Sequence, residues 1–328
     1  MNFHNFECFI ALVETMNFRK AAQKLHITQQ TLSGNIKRLE DFYGTTFFER
    51  RPRLMLTPAG WRMLDYAKKA IKQEEYFISE LADVTDTTTA KLNMGITGMR
   101  ATIFMPKILE VFHKNFPNIT LSIREAATKE LDELLYNGEI DLYIGVNAPM
   151  RVGTEIENLS LEKICCVSNR KIFDKYFFND EHNETELNKK ISEGINLEEL
   201  ANVPLVVFTR PNYIRDFIDD FFEDMNIHPN IICEASRHDL VLRFCEEGYG
   251  IGIMYRILLH DMLQNRDKSK IYVFPVKNAF PRMHTNLVYR KESFRPKYVK
   301  RFIEITREIF KNYYDTVNSL IKLEPVNS

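Results

Sequence analysis

Gln29, Gln30, Ser33, Lys37 and Arg38 share one face of an amphipathic segment, and together they carry side chains that suit the reading of duplex DNA. Amides and hydroxyls bond base edges in a major groove, while cations meet the phosphate oxygens beside it. Thr28, just upstream, is a residue type that accepts the first orphan N–H of a helix, and it is counted with this face as a DNA-contact candidate. Leu32, Ile36 and Leu39 recur at helical spacing on the other side and give the segment an apolar back that must be buried. A second group, Arg50, Arg51 and Arg53, clusters at a Pro-containing turn and suits contact with the sugar–phosphate backbone. An ordinary amphipathic helix pair would show the same periodicity; the arginine cluster is what favours nucleic acid.

These residues need a frame. Residues 17–40, NFRKAAQKLHITQQTLSGNIKRLE, read as two short helices joined by a tight turn, with Asn17 at the cap of the first. Phe18, Ala21, Ala22 and Leu25 form the inner face of that helix, and the alanine pair lets a neighbouring helix approach closely. Apolar runs at Phe47–Phe48 and Leu54–Leu56 flank the arginine cluster and read as a small hairpin. Through Arg62 nine basic side chains stand against five acidic ones, a surplus of four, whereas the whole chain carries −1. A cationic head on an acidic body is the electrostatic footprint of a nucleic-acid module. Because so small a surplus binds weakly in a single copy, self-association is expected.

The next element is a helix of a different kind. Thr57 suits its cap and Pro58 its first position. Leu64, Ile71 and Ile78 fall seven apart, with Ala67 and Leu81 interleaved and Glu74 interrupting, which predicts packing against a second copy. Thr85–Thr89 reads as a hinge. From Lys91 onward strands and helices alternate, implying two α/β lobes with parallel-type sheets and a cleft between them. Strands are expected at Leu92–Ile96, Ile119–Ile123, Ile140–Val146, Ile164–Ser168, Pro204–Phe208, Ile231–Glu234, Gly250–Met254, Ile271–Val276 and Leu287–Tyr289, the last two returning to the first lobe. Helices are expected near 101–114, 129–136, 214–225, 238–247 and 295–321, with a polar, partly helical stretch over 171–200. The expected division is a head over 1–58, a linker helix and hinge over 59–89, a first lobe over 90–163 with 271–328, and a second lobe over 164–270.

Nothing assembles a catalytic set. GxSxG, P-loop and HExxH motifs are missing, the eight histidines are dispersed, and adjacent acids such as Glu246 and Glu247 do not share a helix face. No metal or cofactor is expected. Five cysteines without CxxC spacing (Cys8, Cys165, Cys166, Cys233 and Cys245) suit buried free thiols better than a disulfide framework, a zinc site or redox sensing at Cys233 or Cys245. No apolar run approaches the roughly 20 residues that span a bilayer. The opening residues are too polar for a signal peptide, so a cytoplasmic protein without membrane attachment is expected.

The chain resembles the LysR-type transcriptional regulators. The resemblance is carried by MNFHNFECFIALVE, NFRKAAQKLHITQQTLSGNIKRLE and FFERRPRLMLTPAG in the head. In the body it is carried by MGITGMRATIFMPKILEVF, REAATKELDELLYNGEIDLYIGV and SRHDLVLRFCEEGYGIGIMY. It implies a winged helix-turn-helix, a long linker helix and two Rossmann-like lobes similar to periplasmic solute-binding proteins. The implied partners are double-stranded DNA, a small-molecule effector between the lobes, and further copies of the chain as a dimer or a dimer of dimers. Carried over residue by residue, the effector site comprises Thr97, Gly98, Met99 and Arg100, then Thr128, then Phe208, Thr209 and Arg210; Ser236, Arg237 and His238 follow at a helix start. Three positions depart from the family pattern: Gln30 stands where Pro is usual, Gly34 where Arg is frequent, and Met99 where Ser or Thr is frequent. A transporter's solute-binding protein would explain the lobes but not the head, and an α/β enzyme with an accessory helical domain lacks its catalytic constellation.

Overall fold

Asn17 and Thr28 punctuate the head. The computed structural model, which describes residues 3–50, 53–83, 90–178, 184–263, 271–277, 283–291 and 295–320, begins with helix α1 (Phe3–Thr15). In α2 (Phe18–Lys24) the Asn17 side chain accepts the Lys20 N–H, and in α3 (Gln29–Tyr43) Thr28 accepts the Thr31 N–H. Gly44, at φ 63°, ends α3 in the left-handed conformation that glycine adopts without strain. Leu32, Ile36 and Leu39 are fully buried with Phe9, Leu12, Ala21 and Ala22. Each buried aliphatic chain of this kind contributes about 1.5–3 kcal/mol.

Strands β1 (Phe48–Glu49) and β2 (Met55–Leu56) pair antiparallel as the expected hairpin. Phe47 and Phe48 set their rings 5.6 and 5.2 Å from Phe9, so the hairpin is anchored at its base. Thr57 then caps α4 (Pro58–Asp83): its hydroxyl accepts the Gly60 N–H at 2.9 Å and donates to the Thr46 carbonyl at 2.8 Å. The heptad positions of α4 divide. Ala67 is fully buried in the head core, with Leu64 and Ile71 packed against it, whereas Ile78 and Leu81 are exposed. Only the second half of the expected seam therefore faces outward. Arg51 and the Thr85–Thr89 hinge lie outside the described residues.

The body alternates as expected through β3 (Ala90–Ile96), α5 (Gly98–Asn115), β4 (Ile119–Glu125), α6 (Thr128–Tyr136), β5 (Leu142–Val146) and β6 (Thr154–Leu161). It continues with β7 (Ile164–Asn169), α7 (Arg170–Phe177), α8 (Glu184–Glu193), β8 (Leu205–Phe208), α9 (Tyr213–Asp224) and β9 (Ile231–Ala235). Then come α10 (His238–Glu246), β10 (Ile251–Tyr255), α11 (Arg256–Leu263), β11 (Ile271–Pro275), β12 (His284–Arg290) and α12 (Lys297–Leu320). One sheet has the order β4-β3-β5-β12-β6 and the other β11-β7-β10-β8-β9.

Both sheets are mixed, which corrects the expected parallel type. β3 runs parallel to β4 and β5, but β12 runs antiparallel to β5 and β6. Likewise β8 runs parallel to β9 and β10, while β7 runs antiparallel to β10 and β11. The antiparallel strands flank the two crossings between lobes, where the chain returns without a covering helix. Two placements differ from the sequence reading. β11 joins the second sheet, beside β7, instead of returning to the first lobe; its Phe274 ring stacks on Phe173 of α7 at 3.7 Å. β6 was not expected as a strand, because Glu155, Glu157 and Asn158 blur its alternation. It is an edge strand whose Glu157 is held by Arg307 of α12.

Candidate nucleic-acid interface and ligand cleft

The head presents one polar surface. Gln29, Gln30, Lys37 and Arg38 are exposed on α3 and Ser33 is half-buried, while the other side of the helix is in the core. Thr28 is exposed too, but its oxygen is committed to the cap, bonding the Thr31 N–H at 3.1 Å. Its part is to fix where the helix starts, and so where Gln29 and Gln30 point. Arg50 and Arg53 are exposed at either side of the hairpin turn. Arg50 lies 3.6 Å from Glu40 and 5.7 Å from the Phe18 ring, which holds its guanidinium near α2 and α3. Glu40, from the last turns of α3, accepts the Phe47 and Phe48 N–H groups at 2.8 and 3.3 Å and thereby fixes the hairpin against the helix. Sequence reasoning passed over Glu40, because an acid in a cationic module reads as solvated surface. The signal was its place one turn before the end of α3, with the hairpin to follow.

In the body, three helices start beside strand ends without a side-chain cap: α5 at Thr97, α6 at Ala127 and α10 at Arg237. α2, α3, α7 and α9, by contrast, are each capped by an Asn or Thr side chain. Uncapped helix starts offer backbone N–H groups and a partial positive charge to a ligand's acceptor atoms. Two buried polar side-chain atoms at these starts, Thr97 Oγ1 and His238 Nε2, lack a hydrogen-bond partner. Beside Thr97, Gly98 is exposed and Met99 half-buried. Thr128 is buried and its oxygen accepts the Val146 N–H at 3.0 Å, tying α6 to the end of β5.

Arg100 is not a free ligand anchor. It is buried, with Nη2 3.0 Å from Glu162 and Nε donating to Thr285 at 3.0 Å, and its guanidinium lies 5.1 Å from the Tyr255 ring of the second lobe. Across from it, His238 sits with its ring 4.5 Å from Phe208. Burial first, and then the Arg100 cation, push this imidazole down to about 4, so it is neutral near pH 7. Phe208 is buried and Thr209 half-buried, but Arg210 is exposed and turned to Asp219 at 2.7 Å and Asp216 at 3.5 Å. Arg237 likewise pairs with its neighbour Asp239. The structure thus gathers Arg100, Phe208 and His238 around the crossing between lobes, sets Thr97 and Thr128 at the end of β5, and leaves Arg210 outside.

Residues 3–61 match the model of bacterial regulatory helix-turn-helix proteins of the lysR family, and residues 85–311 match the LysR substrate binding domain. The chain belongs to the LysR family. It is similar to the HTH-type transcriptional regulator AlsR of Bacillus subtilis, 29% identical over 311 residues with 93% of this chain and 95% of the relative covered. It is also similar to the HTH-type transcriptional regulator CysB of Haemophilus influenzae, 25% identical over 308 residues, covering 93% and 89%. Among solved structures, a full-length OxyR variant from Pseudomonas aeruginosa shares the fold at TM-score 0.64 and 22% identity, with 95% of each chain covered. CbnR in complex with its target DNA shares it at TM-score 0.57 and 22% identity, covering 94% of this chain and 100% of that one.

This LysR-type protein is a DNA-binding transcriptional regulator with a C-terminal effector-binding domain. Four of its five free cysteines, all but Cys233, are buried, and burial pushes Cys165 and Cys245 up to about 12, which makes those two poor nucleophiles. One expectation follows from Thr128. Replacing it by Val keeps the shape but leaves the buried Val146 N–H without an acceptor, at about 1–3 kcal/mol. Urea unfolding of Thr128→Val should show that loss. A variant as stable as its parent would show that this bond does not tie α6 to β5.

Proposed function

We propose that α3 lies in the major groove, with Gln29, Gln30 and Ser33 at base edges and Lys37 and Arg38 beside them. Arg50 and Arg53, and Arg51 between them, meet the phosphate backbone. The observation that carries this reading is the two-sided α3: Leu32, Ile36 and Leu39 are fully buried while Gln29, Gln30, Lys37 and Arg38 are exposed. Gln30 and Gly34 make base preference this regulator's own; nothing lies within 4 Å of where a Gly34 side chain would start, so the groove-side surface is flat there.

The effector, in this reading, is a small polar molecule bearing hydrogen-bond acceptors, held between the lobes. Thr97, Gly98, Met99 and Thr128 line one side, and Phe208, Thr209 and His238 the other. Arg100 shapes the site from behind, with its charge matched by Glu162, and Arg210 stands at the rim. The outward half of α4, with Ile78 and Leu81, pairs with a second copy, since a twofold head pair reads two half-sites. A dimer of dimers and a cytoplasmic setting complete the proposal. Among the described residues no helix is long and apolar enough to cross a membrane.

The test is binding to DNA flanking the protein's own gene, measured against salt. Log K should fall linearly with log salt. Arg38→Ala should weaken binding to all sequences and reduce the slope by about 1 if it contacts phosphate, or relax base preference at one position if it contacts a base. Unchanged affinity, slope and preference in Arg38→Ala would remove this face of α3 from the groove.

A further inference from the structure

We propose that Asp141 is a positioning residue that clasps helix α4 to the first lobe, and that release of this clasp frees the DNA-binding head to turn relative to the effector domain. Lys68, Lys72 and Tyr76 fall four apart on one stripe of α4, and all three meet the lobe. Lys72 Nζ lies 2.8 Å from Asp141 Oδ1, and the Tyr76 hydroxyl donates to the same oxygen at 2.8 Å. Lys68 stands 3.8 Å from Glu139, and Lys69 sits 5.0 Å from the Tyr136 ring. The pair is sequestered: the Lys72 side chain is 11% exposed and that of Asp141 1%. Ile78 and Leu81 lie on another side of α4, so clasping leaves the outward seam open for a second copy.

A contact built from buried ions balances two large terms, mutual attraction and lost hydration, which nearly cancel. On release, the lysine regains water. Asp141 keeps partners within the lobe, because its other oxygen accepts the Asn93 N–H at 2.8 Å and Arg290 lies 3.8 Å away. Neither state strands a charge, so docked and released forms lie close in free energy, as a two-state element requires. An apolar contact of the same extent would have no such second state.

The clasp also lies on the strands that reach the ligand cleft. Asp141 leads directly into β5 and Arg290 ends β12, and these strands pair from Leu142↔Tyr289 beside the clasp to Val146↔Thr285 at the far end. There Thr128 holds the Val146 N–H and Arg100 holds Thr285. This link to ligand binding rests on the cleft being the effector site; the clasp itself does not.

The test uses the full chain with Cys233→Ser, spin-labelled at Phe77→Cys on α4 and Lys129→Cys on α6, diluted with unlabelled protein and free of any ligand. Pulsed electron–electron resonance should give one narrow distance. Lys72→Met should raise a second, longer-distance population at least several-fold, Tyr76→Phe should do so to a smaller extent, and both should leave the body's melting unchanged. Both substitutions lie on α4, so the fold of the lobe is not at stake. A Lys72→Met/Tyr76→Phe double variant that keeps the parental distribution would overturn the clasp. Loss of the coupling alone, with the clasp intact, would appear as a distance distribution that a bound effector fails to change.

Discussion

Gly60→Ala is expected to unfold the DNA-binding head at temperatures where the two-lobed body is still folded, abolishing operator binding without touching a DNA-contacting residue. A Cβ at Gly60 would stand 2.2 Å from the Phe47 carbonyl oxygen and 2.7 Å from Leu56 Cδ2. The first obstacle is backbone and cannot rotate away. The first turn of α4 would have to lift off the hairpin, breaking the Thr57 bridge between Gly60 and Thr46. Overpacking of this kind costs about 1–3 kcal/mol or more. A head of this size holds only about 3–5 kcal/mol in its core, so the loss is most of its stability. Each kcal/mol lowers the melting point of so small a domain by about 4–8 °C. Gly34→Ala is the control, because nothing lies within 4 Å of its added methyl. It should leave the head intact or stabilise α3 by up to about 1 kcal/mol. Calorimetry resolves the head transition from that of the body. A parental head transition in Gly60→Ala would contradict this account of how the hairpin is held.

The head was legible because its signals are local. Asn17, Thr28 and Thr57 act on N–H groups within three residues of themselves, and the apolar stripe of α3 repeats at helical spacing, so caps, helices and buried face could all be read from neighbours in the chain. The strands of the body were legible for a similar reason wherever apolar residues alternate or run together. What could not be read depends on partners far apart in sequence. β6 looks polar because Glu157 is matched by Arg307, 150 residues away. β11 joins the second sheet because Phe274 stacks on Phe173, which no local pattern announces. The α4 heptad was legible as a pattern, but not that Ala67 faces the head's own core while Ile78 and Leu81 face outward. Around the crossing between lobes, the resemblance points to Thr97, Thr128 and Phe208. It does not point to Glu162, since a lone acid between two strands carries no motif, and without it the state of Arg100 was open. In the sequence His238 is one more residue at a helix start; its burial and its unpartnered nitrogen appear only in three dimensions.

Arg100→Leu should therefore act first on stability, which sets it apart from the loss of a ligand contact. The Arg100 and Glu162 side chains are 6% and 0% exposed, and removal of the cation leaves the carboxylate with the Ser160 and Thr285 hydroxyls as its remaining partners. Removing one member of a buried ion pair costs about 3–5 kcal/mol, because the other charge stays buried. The corresponding Glu162→Leu/Arg100→Leu pair removes both charges and should recover most of that loss in urea unfolding, since no uncompensated charge remains. The same substitution bears on His238. Because its folded value is depressed from 6.5 to about 4, the unfolded chain binds more protons, so stability is full above about 6.5 and is lost as pH falls toward 4. Burial is the larger cause and persists in Arg100→Leu, while the repulsion from the guanidinium disappears. The imidazole should titrate higher in the variant than in the parent, yet still below its ordinary range, which proton resonance can follow. A ligand anchor facing solvent would give the opposite pattern: parental stability, an unmoved His238 and a selective loss of effector response. That result would show that Arg100 is not locked in a buried pair with Glu162.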